Sequence, residues 1–119
     1  MARQSRPLKT SFWDDEKVAR LSFEAQLTLA GLITKHADDE GRFIATPQAI
    51  GGALYPHRDI APARIKKWMT EIEKQGMAVT YKVGAGTYGC LPKWHRHQKP
   101  PHPTASTLPA PPEEGLFTS

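Results

Sequence analysis

His57-Arg58-Asp59-Ile60-Ala61-Pro62-Ala63-Arg64-Ile65-Lys66-Lys67-Trp68-Met69-Thr70-Glu71-Ile72-Glu73-Lys74-Gln75-Gly76 leads directly into Met77-Ala78-Val79-Thr80-Tyr81-Lys82-Val83 and the turn Gly84-Ala85-Gly86. Ile65, Trp68, Met69 and Ile72 recur at helical spacing and form one apolar stripe. At about 100° per residue, Ala63, Lys67, Thr70 and Lys74 fall on the opposite side, with Lys66 on its flank. Asp59 or Ala61 is placed to cap the helix, Pro62 suits its first turn, and Gly76 suits its exit. A helix with an apolar back and a small, cationic front fits a DNA major groove. A solvated surface helix has the same pattern, so the rest of the chain has to decide between them.

Downstream, Val79, Tyr81 and Val83 alternate with Thr80 and Lys82, as a strand with one buried face does. After the Gly-rich turn, Thr87 to Leu91 returns as a second strand. Upstream, Ser11 or Asp14 caps a short first helix through about Leu21, with Phe12 and Trp13 as anchors outside it and Val18 and Leu21 buried. Ser22 caps a second helix, from Phe23 to about His36. Its apolar residues Phe23, Leu27, Leu29, Ala30, Leu32 and Ile33 cover a wide arc, which predicts a central helix. Asp38-Asp39-Glu40-Gly41 reads as a polar turn, too short for a calcium loop. Residues 42–46 form a short strand by composition. Thr46 and Pro47 open a third helix through about Leu54, in which Gly51-Gly52 marks either a close crossing or simple weakness. A brief turn then reaches the helix quoted first. The predicted fold is mainly α within the α+β class. Its order is helix, helix, strand, helix, helix, hairpin, that of a winged helix-turn-helix.

The 119 residues divide into a flexible basic arm at 1–10, one domain at 11–99, and an extended or disordered Pro-rich tail at 100–119. No apolar run approaches a membrane span. The N-terminus is basic but leads into no apolar segment, so no signal peptide is expected. The single cysteine, Cys90, makes a reducing compartment the default. The net charge of +4 is unevenly spread: no acid lies between Glu73 and Glu113, whereas Lys74, Lys82, Lys93, Arg96 and Lys99 do. Acids collect instead at 14–16 and 38–40. Such segregation is the footprint of a polyanion partner.

Four segments carry a resemblance. Ser11-Phe12-Trp13-Asp14-Asp15-Glu16-Lys17-Val18-Ala19-Arg20-Leu21-Ser22 resembles the opening of the winged-helix N-terminal domains of phage and prophage replication-initiation proteins, the replisome-organiser type. So do Leu29-Ala30-Gly31-Leu32 with Ala37-Asp38-Asp39-Glu40-Gly41-Arg42-Phe43, and Leu91-Pro92-Lys93-Trp94-His95-Arg96-His97-Gln98-Lys99. The likeness covers about residues 8 to 103, in the same order. It implies a double-stranded DNA-binding module for a replication origin or regulatory site, working in the bacterial cytoplasm. Many members continue into a second domain that engages a helicase or its loader; here a Pro-rich tail follows.

No nucleophile, base and orienting group can be assigned together, so no enzyme, cofactor or catalytic residue is expected. Cys90, His95, His97 and His102 match no common zinc site, and no metal is expected. Trp68 is read as core, and Trp94 as packing the hairpin base onto the first helix. The expected DNA contacts are Ala63, Arg64, Lys66, Lys67 and Thr70 nearest the groove, with Arg58 and Lys74 at its lips. Lys82, Gly84 and Gly86 should lie along an adjacent groove or backbone, and Arg96 and Lys99 should follow phosphates. The competing expectation is a protein-interaction adaptor that uses the Pro-rich tail as its recognition segment. Replication or regulatory proteins are the partners it would reach, and a homodimer is left open.

Overall fold

A computed structural model describes residues 5–112; the expectations for 1–4 and 113–119 lie outside them. Among the described residues the fold is α+β and mainly α, with six α-helices, a π-helical turn and one three-stranded antiparallel sheet. Among the described residues, no helix is long and apolar enough to cross a membrane.

The first helix differs from expectation. It is two single turns, α1 (Ser11–Asp14) and α2 (Glu16–Ala19), split at Asp15, whose extended backbone lets its carboxylate accept the Lys17 N–H. A capping side chain inside the expected helix ends one turn and starts another. Phe12 sits within the first turn and is buried, whereas Trp13 is 67% exposed. Helix α3 (Phe23–Gly31) starts at Ser22, which accepts from Ala25 N–H, and ends in a π-helical turn at Leu32–His36.

Helix α3 also corrects the wide apolar arc. Ala25, Thr28, Leu29 and Leu32, at spacings of three and four, are buried, and Ala30 and Ile33 pack partly against the core. Phe23 and Leu27 lie about 160° from Ala25 at helical pitch, and they are 86% and 61% exposed. Thr28 takes an inner place because its hydroxyl hydrogen-bonds the Tyr55 hydroxyl at 2.7 Å. A polar residue thus displaced two apolar ones from the core, which hydropathy counting cannot foresee.

Helix α4 (Pro47–Leu54) has the expected Thr46 cap, and α5 (Pro62–Lys74) buries the whole predicted stripe. Gly51 answers the open question about the glycine pair. A Cβ there would sit 2.9 Å from Ile65 Cδ1, so α4 crosses α5 closely at this point, while Gly52 has nothing within 4 Å. Tyr55 then meets the Trp68 ring edge-on at 5.9 Å, linking α3, the turn after α4, and α5.

Strands β1 (Arg42–Ile44), β2 (Val79–Val83) and β3 (Gly86–Cys90) assemble in the order β1-β3-β2. Register places Phe43, Gly89 and Thr80 in one row, and that row faces the helices: Phe43 is in the core and Thr80 bonds Glu73 of α5 at 2.8 Å. Side chains alternate across a strand, so Val79, Tyr81 and Val83 face the other way. The apolar alternation in β2 predicts one buried face; Tyr81 on it is buried, Val83 is exposed, and the face is the outer one. Inward, Ala78, Thr80 and Gly89 suffice because Phe43 fills the space against Gly89.

Helix α6 (Trp94–His97) follows β3. Trp94 is buried as expected, in the same core cluster as Phe12 and Val18 of the first two turns. Its indole N–H donates to the Asp39 carbonyl at 2.9 Å, and its ring presses on Gly41. Arg6 lies over that ring at 5.1 Å and donates to the Ile33 and Ala37 carbonyls and to Asp39. Through Arg6, the described end of the basic arm is tied to the domain.

Candidate nucleic-acid interface

The candidate surface is the outside of α5. At its start Ala61 offers no side-chain cap, Pro62 has no N–H, and the Arg64 N–H bonds the Ala61 carbonyl at 3.0 Å. Arg58 stands exposed in the preceding turn, its N–H bonded to the Tyr55 carbonyl. Ala63, Arg64, Lys66, Lys67, Thr70 and Lys74 are all exposed.

The acids of α5 decide the sign of this surface. Glu71 accepts both the Ser22 N–H and the Ser22 hydroxyl at 2.8 Å, so it is drawn to the cap of α3. Glu73 accepts the Thr80 hydroxyl at 2.8 Å, so it is drawn to the sheet. Both carboxylates thus do structural work on the flanks. Among the described residues, no ion pair involves Arg58, Arg64, Lys66, Lys67, Lys74, Lys82, Arg96 or Lys99. The front of α5 is left cationic and unneutralised.

Two side chains have more specific settings than expected. The Arg64 guanidinium lies over the Trp68 ring at 5.3 Å, which holds it along the helix flank. The Thr70 hydroxyl donates back to the Lys66 carbonyl at 3.0 Å. It therefore presents a methyl group that suits the thymine C5-methyl and an acceptor that suits an amino donor of adenine or cytosine.

The remaining candidates sit at two ends of the hairpin. Lys82 is exposed near its tip, beside the two-residue turn at Gly84, whose φ of +59° is left-handed. Arg96 and Lys99 follow the hairpin base, next to the acidic turn at 38–40. Five residues of strand separate base from tip, about 16 Å at 3.3 Å per residue. The structure does not bring Arg96 and Lys99 to the turn. Arg20 was passed over in the sequence. It reaches Gln75 at the end of α5 at 3.4 Å; only the fold joins two positions so far apart in the chain.

Titration behaviour follows burial. His36 is held below its ordinary value by burial, against a 2.8 Å hydrogen bond to the Ile44 carbonyl and with Lys35 nearby. On the outer sheet face, burial pushes the Tyr81 phenol up to about 12 and the Cys90 thiol up to about 11. Cys90 is buried while His95, His97 and His102 are exposed. No family model, curated protein or solved structure matches this chain.

Proposed function

We propose that the chain is a winged helix-turn-helix module that binds double-stranded DNA without catalysis. In this reading α5 enters the major groove and the β2–β3 hairpin is the wing. The observation that carries it is the front of α5, where Arg64, Lys66, Lys67 and Lys74 are exposed and Glu71 and Glu73 are withdrawn to Ser22 and Thr80. Phosphate contacts from these cations position the protein, and base-edge contacts from the same helix select sequence. The segments resembling phage and prophage replication initiators favour an origin or regulatory site as the target. Selection from a random duplex library tests this: an enriched site bound with strong salt dependence supports it, and no enrichment with no low-salt binding overturns it.

A protein-docking adaptor is the second reading, and one observation favours it. Phe23 and Leu27 stand one turn apart on the outer side of α3, both largely exposed. Recovery of a stoichiometric protein partner that Phe23→Ser abolishes, with no enriched DNA site, would put this reading first.

A further inference from the structure

The outer face of the sheet is covered by the chain itself. Register aligns Arg42, Cys90 and Val79 in one row and Ile44, Tyr88 and Tyr81 in the next. Tyr81 and Cys90 are 7% and 5% exposed, yet neither belongs to the helical core. What covers them is the segment 104–111. The Thr104 N–H donates to Asp39 at 2.9 Å, and the Ser106 N–H donates to Glu40 at 2.6 Å. The Ser106 hydroxyl donates to the Asp38 carboxylate. Further on, the direction of donation reverses: Arg42 donates to the Leu108 carbonyl at 3.0 Å, and the Tyr81 hydroxyl donates to the Pro109 carbonyl at 2.8 Å. Pro111 lines a cavity of about 250 Å³ together with Cys90 and Arg42.

This arrangement has the parts of a peptide site. An acidic turn receives the donors of the first half of the segment, and an arginine and a phenol receive carbonyls of the second half. The Tyr81 and Tyr88 rings lie 6.1 Å apart, with the Tyr81 hydroxyl on the Pro109 carbonyl. Proline holds an extended backbone without needing a donor, so such a segment loses little on docking. The segment is hinged: Gln98 bonds the Pro7 carbonyl, and among the described residues no hydrogen bond fixes 99–103 before Thr104. A hinge between a body and a docked segment is the geometry that permits exchange between copies.

We propose that the outer sheet face is a binding groove for an extended Ser- and Pro-containing peptide. It is filled in cis by residues 104–111 and accepts the same segment from a second copy of the chain. The inference is independent of DNA binding. Cys90, beneath the segment, reports occupancy through its rate of reaction with a thiol reagent in the full chain. Ser106→Asp sets a negative charge against Asp38 and Glu40 and should speed labelling at least about tenfold, the equivalent of one lost charged hydrogen bond. Gln48→Asp, an exposed change on α4 outside the segment, should leave the rate unchanged. A synthetic peptide with the sequence of residues 102–112, added to Ser106→Asp, should restore slow labelling in a dose-dependent way, and a scrambled peptide should not. Unchanged labelling in Ser106→Asp, equal acceleration by Gln48→Asp, or no rescue by the peptide would each overturn the proposal.

Discussion

Lys67 and Trp68 are adjacent in sequence and opposite in consequence, so replacing each with alanine tests the orientation of α5. Trp68 is 6% exposed, meets Tyr55 edge-on and carries Arg64 over its ring. A buried tryptophan removes about 150–250 Å² from water, worth about 4–6 kcal/mol at 25 cal/mol per Å² as an upper bound. Large-to-small changes at such sites cost about 3–5 kcal/mol. At about 4–8 °C per kcal/mol for a domain of this size, Trp68→Ala should lower the melting temperature by at least about 12 °C. Lys67 is exposed and makes no ion pair among the described residues, so Lys67→Ala should change stability by no more than about 0.5 kcal/mol. It should weaken duplex binding by about 1–3 kcal/mol if the ammonium reads a guanine edge, and by less if it touches only phosphate. The assay is a thermal melt beside a binding titration for each variant. If Lys67→Ala melts early but binds normally, and Trp68→Ala stays folded but loses DNA, the reading face is wrong.

Three further outcomes follow from particular contacts. Glu71→Ala leaves the Ser22 N–H and hydroxyl without their partner and should cost about 1–3 kcal/mol in a denaturant melt. Duplex affinity should not fall, because an acid has been removed beside the cationic face. Gly52→Ala should stabilise by about 0.5–1 kcal/mol, since nothing stands within 4 Å. Gly51→Ala should instead destabilise by up to about 2 kcal/mol as its Cβ drives into Ile65, and equal melts for the two variants would refute the close α4–α5 crossing. His36 is held below its ordinary value of 6.5, so the unfolded chain binds the proton more readily than the folded one. Its contribution to stability is complete above pH 6.5 and declines as pH falls toward the folded value. His36→Gln should flatten that part of the stability profile, and an unchanged slope would assign it to other groups.

The sequence was most legible where one physical rule acted alone. The stripe Ile65, Trp68, Met69 and Ile72 is buried as its period demands, and the Thr46-Pro47 start of α4 stands where capping chemistry puts it. Legibility failed where a contact between distant segments decided the outcome. Asp15 split the first helix with a local bond that competed with helical continuation. Thr28 was drawn inward by Tyr55, leaving Phe23 and Leu27 outside. In β2 the alternation announced one shielded face, but what shields Tyr81 is a segment more than twenty residues downstream, which the local pattern could not name. For the candidate surface, the cations of α5 were legible from helical spacing. The withdrawal of Glu71 and Glu73 was not, because their partners Ser22 and Thr80 are brought to them by the fold.

The central claim is that the front of α5 contacts the DNA backbone and bases. The most direct measurement is the salt dependence of duplex affinity for the full chain and for a Lys66→Gln, Lys67→Gln, Lys74→Gln variant whose melt is unchanged. Each lysine that releases a phosphate counterion adds about 0.9 to the slope of log affinity against log salt. The triple variant should therefore lose about two to three units of slope together with most of its low-salt affinity. A variant that binds with the slope and affinity of the parent would contradict the account.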